Sequence, residues 1–175
     1  MPAELRPTEY GFKHRISMTK DQLIQNTLFA LKDELDNAIA AAQQAHDGAT
    51  HEQSKAETQY DTLGLEHAYL AQGQSRRINE LTHGISLLEN WRVKDFCEED
   101  EIYLGALITL KAVQSNDLMN ILLAPAGGGI LVKIKGCEYH MVTPQTPLGQ
   151  TLIGLTQGET VALNNGQQYE IISVS

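Results

Sequence analysis

The clearest pattern in the chain is a run of apolar positions, Ile24, Leu28, Leu31, Leu35, Ala38, Ala42 and Ala45, at alternating spacings of four and three. A stripe that returns in this rhythm is the seam of a coiled coil, because it keeps the apolar side of a helix turned to one partner. Toward its far end the stripe thins from Ile and Leu to Ala, which lets two helices approach closely. A second series, Ile78, Leu81, Ile85 and Leu88, has the same spacing, and Tyr60, Gly64, His67, Ala71 and Gln74 continue its phase upstream. Between the two, His46-Asp47-Gly48-Ala49-Thr50-His51 combines a helix-stopping Gly with capping-type residues and predicts a turn. Two long helices joined by a short turn run antiparallel, as a helical hairpin whose arms of about 28 residues extend roughly 40 Å.

Residues 1–18 contain Pro2, Pro7 and Gly11 without a sustained period and read as a poorly ordered lead-in, with structure beginning near Thr19. The helical period fails at Asp95–Glu101 (DFCEEDE), which sets the hairpin at 19–94 and a second domain at 95–175. In that second domain the pattern changes to short apolar runs. Strands are predicted over Ile102–Leu110, Met119–Ala124, Ile130–Lys135, Glu138–Thr143, Glu159–Leu163 and Tyr169–Val174. Pro147 suits the first turn of a short helix from Thr146 to Ile153 that Gly154 ends, and Asn164-Asn165-Gly166 is a hairpin turn. The expected fold class is α+β: an N-terminal antiparallel coiled-coil hairpin, then a small antiparallel β-sheet domain carrying one short helix.

At 175 residues, 42% hydrophobic and 20% charged, the chain has material for one or two small cores and is not disordered throughout. Its formal net charge of −9 is spread over both halves, which disfavours duplex DNA and anionic membranes and favours a basic partner. Cys97 and Cys137 stand far apart with no zinc-type spacing, so a reduced, cytoplasmic setting is expected. No stretch reaches the length of a membrane span and Met1–Lys20 lacks an apolar signal core, so neither secretion nor insertion is expected.

Around the predicted turn, Lys55 is the only basic residue within 47–66, against Asp47, Glu52, Glu57, Asp61 and Glu66. The simplest account is a solvated helix end with acids favoured by the dipole of the second helix. His46, His51 and His67 lie near these acids; exposed polar histidines are a commoner explanation than a transition-metal site, though such imidazoles titrate near neutrality. Gly127-Gly128-Gly129 leads from strand to strand with no helix behind it, a flexible loop open to partner contact and not a nucleotide site. Arg76 and Arg77 are adjacent and face different directions, as solvated residues do.

The C-terminal stretch Thr143-Pro144-Gln145-Thr146-Pro147-Leu148-Gly149-Gln150, continued by Leu152-Ile153-Gly154, Gly158 and Tyr169-Glu170-Ile171-Ile172, resembles the signature of the Gre family of bacterial transcription elongation factors. With the hairpin ahead of it, the resemblance covers residues 19–175 in the family's order of coiled coil first and FKBP-like domain second. A self-contained intramolecular hairpin predicts a monomer, and the resemblance implies a factor that docks on RNA polymerase and inserts the hairpin through the secondary channel. The tip then stimulates cleavage of backtracked transcripts, meeting the nascent RNA 3′ end only indirectly. Such a factor is an accessory and not an enzyme by itself. Acidic tip residues, here Asp47, Glu52 and Glu57, would help hold a magnesium ion shared with the polymerase, with Asp47 and Glu52 as its ligands and no cofactor bound alone. Pro144, Gln145, Thr146, Pro147, Gly127, Gly128 and Gly129 are the partner-binding candidates. The tip departs from the family pattern: matching Ala56-Glu57 to the family's Ala-Glu puts His51 and Ser54 where an acidic pair belongs. Two alternatives therefore stand beside cleavage: a non-cleaving polymerase-binding regulator or inhibitor, and a coiled-coil module that associates with itself.

Overall fold

The computed structural model describes the backbone of residues 7–50, 63–97, 99–163 and 166–175, and the side chains among them from 19 to 47 and from 72 onward. Two long helices, α1 (Pro7–Thr50) and α2 (Leu63–Glu89), precede strands β1 (Leu107–Ala112), β2 (Leu118–Leu123), β3 (Leu131–Ile134) and β4 (Cys137–Val142). A short helix α3 (Pro147–Leu152) and strands β5 (Thr160–Ala162) and β6 (Gln168–Val174) complete the chain. It divides into two compact units, residues 29–86 and residues 1–28 with 87–175. The start of α1 and the end of α2 thus belong to the same unit as the sheet.

In the helical unit the expected seam is the buried one. Leu31, Ala38 and Ala45 of α1 and Leu81 and Ile85 of α2 are buried, with Leu35 and Ala42 half-buried. Arg77 of α2 pairs with Glu34 of α1 through Nη2 and Oε1. The turn expected at His46–His51 does not start there: α1 continues as helix through Gly48 to Thr50. Gly inside a helix costs only about 1 kcal/mol relative to Ala, so alone it does not end one. Residues 51–62, which link the helices and include the expected start of the second one, lie outside the described residues. At its other end α1 begins at Pro7, a residue suited to a first turn, and not at Thr19.

The six strands form one sheet in the order β3-β4-β2-β1-β6-β5. It is mixed, which corrects the expectation of a wholly antiparallel sheet: β2 and β4 pair in parallel, Asn120 opposite Tyr139 through Leu123 opposite Val142. The reason is the route of the chain. After β2 it skips one position, lays β3 at the edge, and returns as β4 between them by an antiparallel hairpin with Ile134 opposite Cys137. The first strand also starts later than expected, at Leu107. Ile102 instead accepts from the Gly154 N–H at 3.0 Å and donates to the Leu155 carbonyl at 2.8 Å, anchoring the entry of the sheet to the end of α3. One face of the sheet packs Ile108, Leu110, Ile121, Leu123, Val142 and Ile171 with Leu152 of α3 into the main core. Leu122, Val132 and Met141, at alternate positions, are also buried, so both faces are covered. The turn after β5 holds Gly166 at φ 77°, and Leu163 N–H donates to the Gln167 carbonyl at 3.0 Å; Asn164 and Asn165 lie outside the described residues. Among the described residues no helix is long and apolar enough to cross a membrane.

Candidate functional site

The signature segment Thr143–Pro147 leaves the end of β4 and turns directly into α3. Thr146 is the N-cap: its Oγ1 accepts from the Gly149 N–H at 3.1 Å while donating to the Thr143 carbonyl at 2.8 Å. Pro147 fills the first helical position, where no N–H is needed. Gly149 is fixed by packing, because a Cβ there would collide with the Thr143 carbonyl oxygen. The spacing Thr-x-x-Thr-Pro-x-Gly is therefore a cap, a helix start and a close approach in one. Gln145 and Pro147 are exposed, while Pro144 and Thr146 are half-buried.

The triple-glycine segment meets this turn. To pass from β2 to β3 the loop Ala124–Ile130 must cross two strand spacings, about 10 Å, over the end of β4. It does so with Gly127 at φ 80° and Gly129 at φ 90°, and a Cβ at Gly128 would stand 3.1 Å from Thr143 Cγ2. The Gly129 N–H donates to the Met141 carbonyl at 2.9 Å and the Ile130 N–H to the Gly127 carbonyl at 3.1 Å. The expected flexible loop is thus a hydrogen-bonded crossover, and it brings Gly128 against Thr143 at the start of the signature turn. Gly128, Gly129, Gln145 and Pro147 are exposed together at this end of the sheet. On the inner side, a Cβ at Gly127 would lie 2.5 Å from Thr27 Cγ2 and 3.9 Å from Leu88 Cδ1, so the crossover also seats the bases of α1 and α2.

Sequence reasoning missed two polar residues on that base. Thr27 is fully buried, its hydroxyl donating to the Leu23 carbonyl at 2.8 Å. Lys20, four residues before Ile24 on the seam side of α1, is 3% exposed. Its ammonium donates to the Lys94 carbonyl at 3.3 Å and stands 5.0 Å from the centre of the Phe96 ring. Burial pulls its pKa down from 10.5 to about 8, against a smaller upward pull from the Asp95 carboxylate. The legible signal was Leu23, apolar at a position outside the heptad seam and four residues before Thr27; both are fully buried.

Of the tip residues, Asp47 lies exposed on the side of α1 and accepts from Gln43 Nε2 at 2.8 Å. Glu52 and Glu57, like His51, lie outside the described residues, so the expected meeting of Asp47 with Glu52 is not among the contacts described. Among the described residues no group of three or more His, Cys, Asp or Glu side chains is placed to hold a metal. Of the three candidate carboxylates, Asp47 is the one whose position is described.

No protein-family model matches the chain, and no curated protein is similar to it in sequence. Several solved structures match it. GreA factor homolog 1 (Gfh1) of Thermus thermophilus is 15% identical with a TM-score of 0.37, covering 88% of this chain and 93% of that one. A second structure, of the transcription factor Gfh1, is 19% identical with a TM-score of 0.38, covering 84% and 92%. Thermus aquaticus Gfh1 is 16% identical with a TM-score of 0.35, covering 83% and 91%.

Proposed function

We propose that this protein is a Gre-like transcription factor of the cytoplasm that binds bacterial RNA polymerase through the secondary channel, as an accessory and not as an enzyme by itself. The observation that carries the reading is the meeting of Gly128 with Thr143 at the start of the signature turn. The stretch that resembles the family signature is an exposed turn whose cap, proline and glycine each have a structural task, joined there by the crossover loop. In this reading the FKBP-like domain docks with Gln145, Pro147, Gly128 and Gly129 at the channel rim, and the hairpin enters the channel.

What the tip does there divides the reading. As a cleavage stimulator it acts on the nascent RNA 3′ end with the polymerase's own magnesium and carboxylates from Asp47, Glu52 and Glu57. The placement of Asp47 on the side of α1, occupied by Gln43, favours the second form, a non-cleaving regulator that obstructs or retunes the active centre. The test adds purified protein to stalled, backtracked elongation complexes with magnesium present and follows RNA length. Shortened transcripts select cleavage, and loss of shortening in the Asp47→Ala/Glu52→Ala variant assigns it to the tip. Unchanged length with altered elongation selects the regulator. Absence of any binding to polymerase removes both.

A further inference from the structure

The outer face of α1 carries an apolar side chain that the fold leaves uncovered. Phe29 is 76% exposed, the most exposed of the large hydrophobic residues described. At 100° per residue, Asp33, Asp36 and Asp47 fall within about 40° of Phe29 around the helix axis, over a length of roughly 27 Å. All three are exposed. The same count puts Leu31, Ala38 and Ala45, the buried seam, on the opposite side of the helix, so no part of this stripe is used to hold α2. Lys32 stands at its margin as the nearest basic residue.

We propose that this stripe is the docking face of the hairpin shaft, and that its occupant is a basic surface of RNA polymerase with an apolar socket for Phe29. The inference rests on the polymerase-binding reading and adds which side of the hairpin meets the channel wall. Charge selects the occupant. Two copies of this chain brought together stripe to stripe would oppose Asp to Asp, whereas a basic wall satisfies the carboxylates while Phe29 is desolvated. Aromatic side chains are enriched at such interfaces and among the residues that carry their binding energy.

The test titrates labelled full-length protein with core RNA polymerase at low and high salt. Phe29→Ala should weaken binding about tenfold, as loss of an aromatic anchor does. Asp33→Asn with Asp36→Asn should weaken it by about the same factor at low salt, with the difference shrinking as salt screens the contact. Leu118→Ala, exposed at the end of β2 remote from the crossover loop, should leave affinity unchanged. Unaltered circular dichroism confirms that each variant folds. Equal affinity of the parent and both stripe variants overturns this inference and leaves the proposed function standing; a parent that does not bind overturns both. Dimers of the parent that Phe29→Ala converts to monomers put a second copy on this face and overturn it as well.

Discussion

The two compact units bury their apolar side chains in different ways. In the unit containing the sheet, Ile108, Leu110, Ile121, Leu152 and Ile171 are wholly enclosed, as are Leu23 at the base of α1 and Leu88 at the end of α2 to within 2%. In the helical unit, Leu31, Ala38 and Ile85 each retain 6 to 8% exposure. Two helices enclose a few seam side chains as fully, Leu81 at 2% and Ala45 at 3%, but leave water at the flank of the others, and small residues replace large ones as the seam runs outward. The comparison teaches that the same heptad pattern serves two purposes. At its base it joins a closed core, and beyond Leu28 it supports a slender pair of helices held by little else.

The largest effect should come from deleting a side chain in the closed core. Leu152→Ala leaves a cavity between α3 and the sheet and should cost about 2–5 kcal/mol, read by thermal or denaturant unfolding. Leu81→Ala in the helical seam should fall at the low end of that range or below, since neighbouring side chains of a two-helix seam can close on the gap. Equal losses at the two positions would remove the distinction between the units.

A smaller effect sits at the base, where the closed core contains Lys20. Lys20→Met keeps the length of the side chain and removes the cost of burying an ammonium, which should stabilise by about 1–2 kcal/mol near neutral pH. The sign of its pH dependence follows from the lowered pKa. Between about 8, the folded value, and 10.5, the ordinary one, the unfolded chain holds the proton that the folded chain has released. Stability of the parent should therefore rise with pH across that window, and the Met variant should lose this rise. A parent whose stability is flat from pH 8 to 10.5 would show that Lys20 is not enclosed as described.

How much of this was legible in the sequence follows the same divide. The seam from Ile24 to Ala45 was readable because a regular spacing fixes one face of a helix whatever lies beyond it. The strands β2 to β6 fell within a residue or two of their expected bounds for the same kind of reason, alternation and turn residues being local. Tertiary route was not local. Nothing in Leu131–Ile134 says that it lies at the edge, so the parallel pairing of β2 with β4 and the meeting of Gly128 with Thr143 were not readable. Gly48 misled because a glycine marks a helix end only when the surrounding structure lets the chain turn there. The start of α3 near Thr146 was legible from Pro147, though the cap itself was not; Thr146→Ala should cost about 1 kcal/mol, seen as a small fall in the unfolding midpoint that Thr146→Ser restores.

The smallest effect tests how little holds the helical unit outside its seam. Arg77 pairs with Glu34 across the helices and with Glu80 along its own, and Glu34 raises the pKa of Arg77 through their hydrogen bond first and charge second. Both partners are about half exposed. Attraction between exposed charges is offset by the entropy of holding two long side chains in one geometry, so such pairs contribute about 0–1 kcal/mol. A double-mutant cycle of Arg77→Gln and Glu34→Gln should give a coupling within that range, decreasing as salt is added. If the cycle instead returned a coupling as large as the loss from Leu81→Ala, the helical unit would depend on this cross-helix pair as much as on its seam, and the contrast with the closed core would have to be drawn in terms of charge and not of burial.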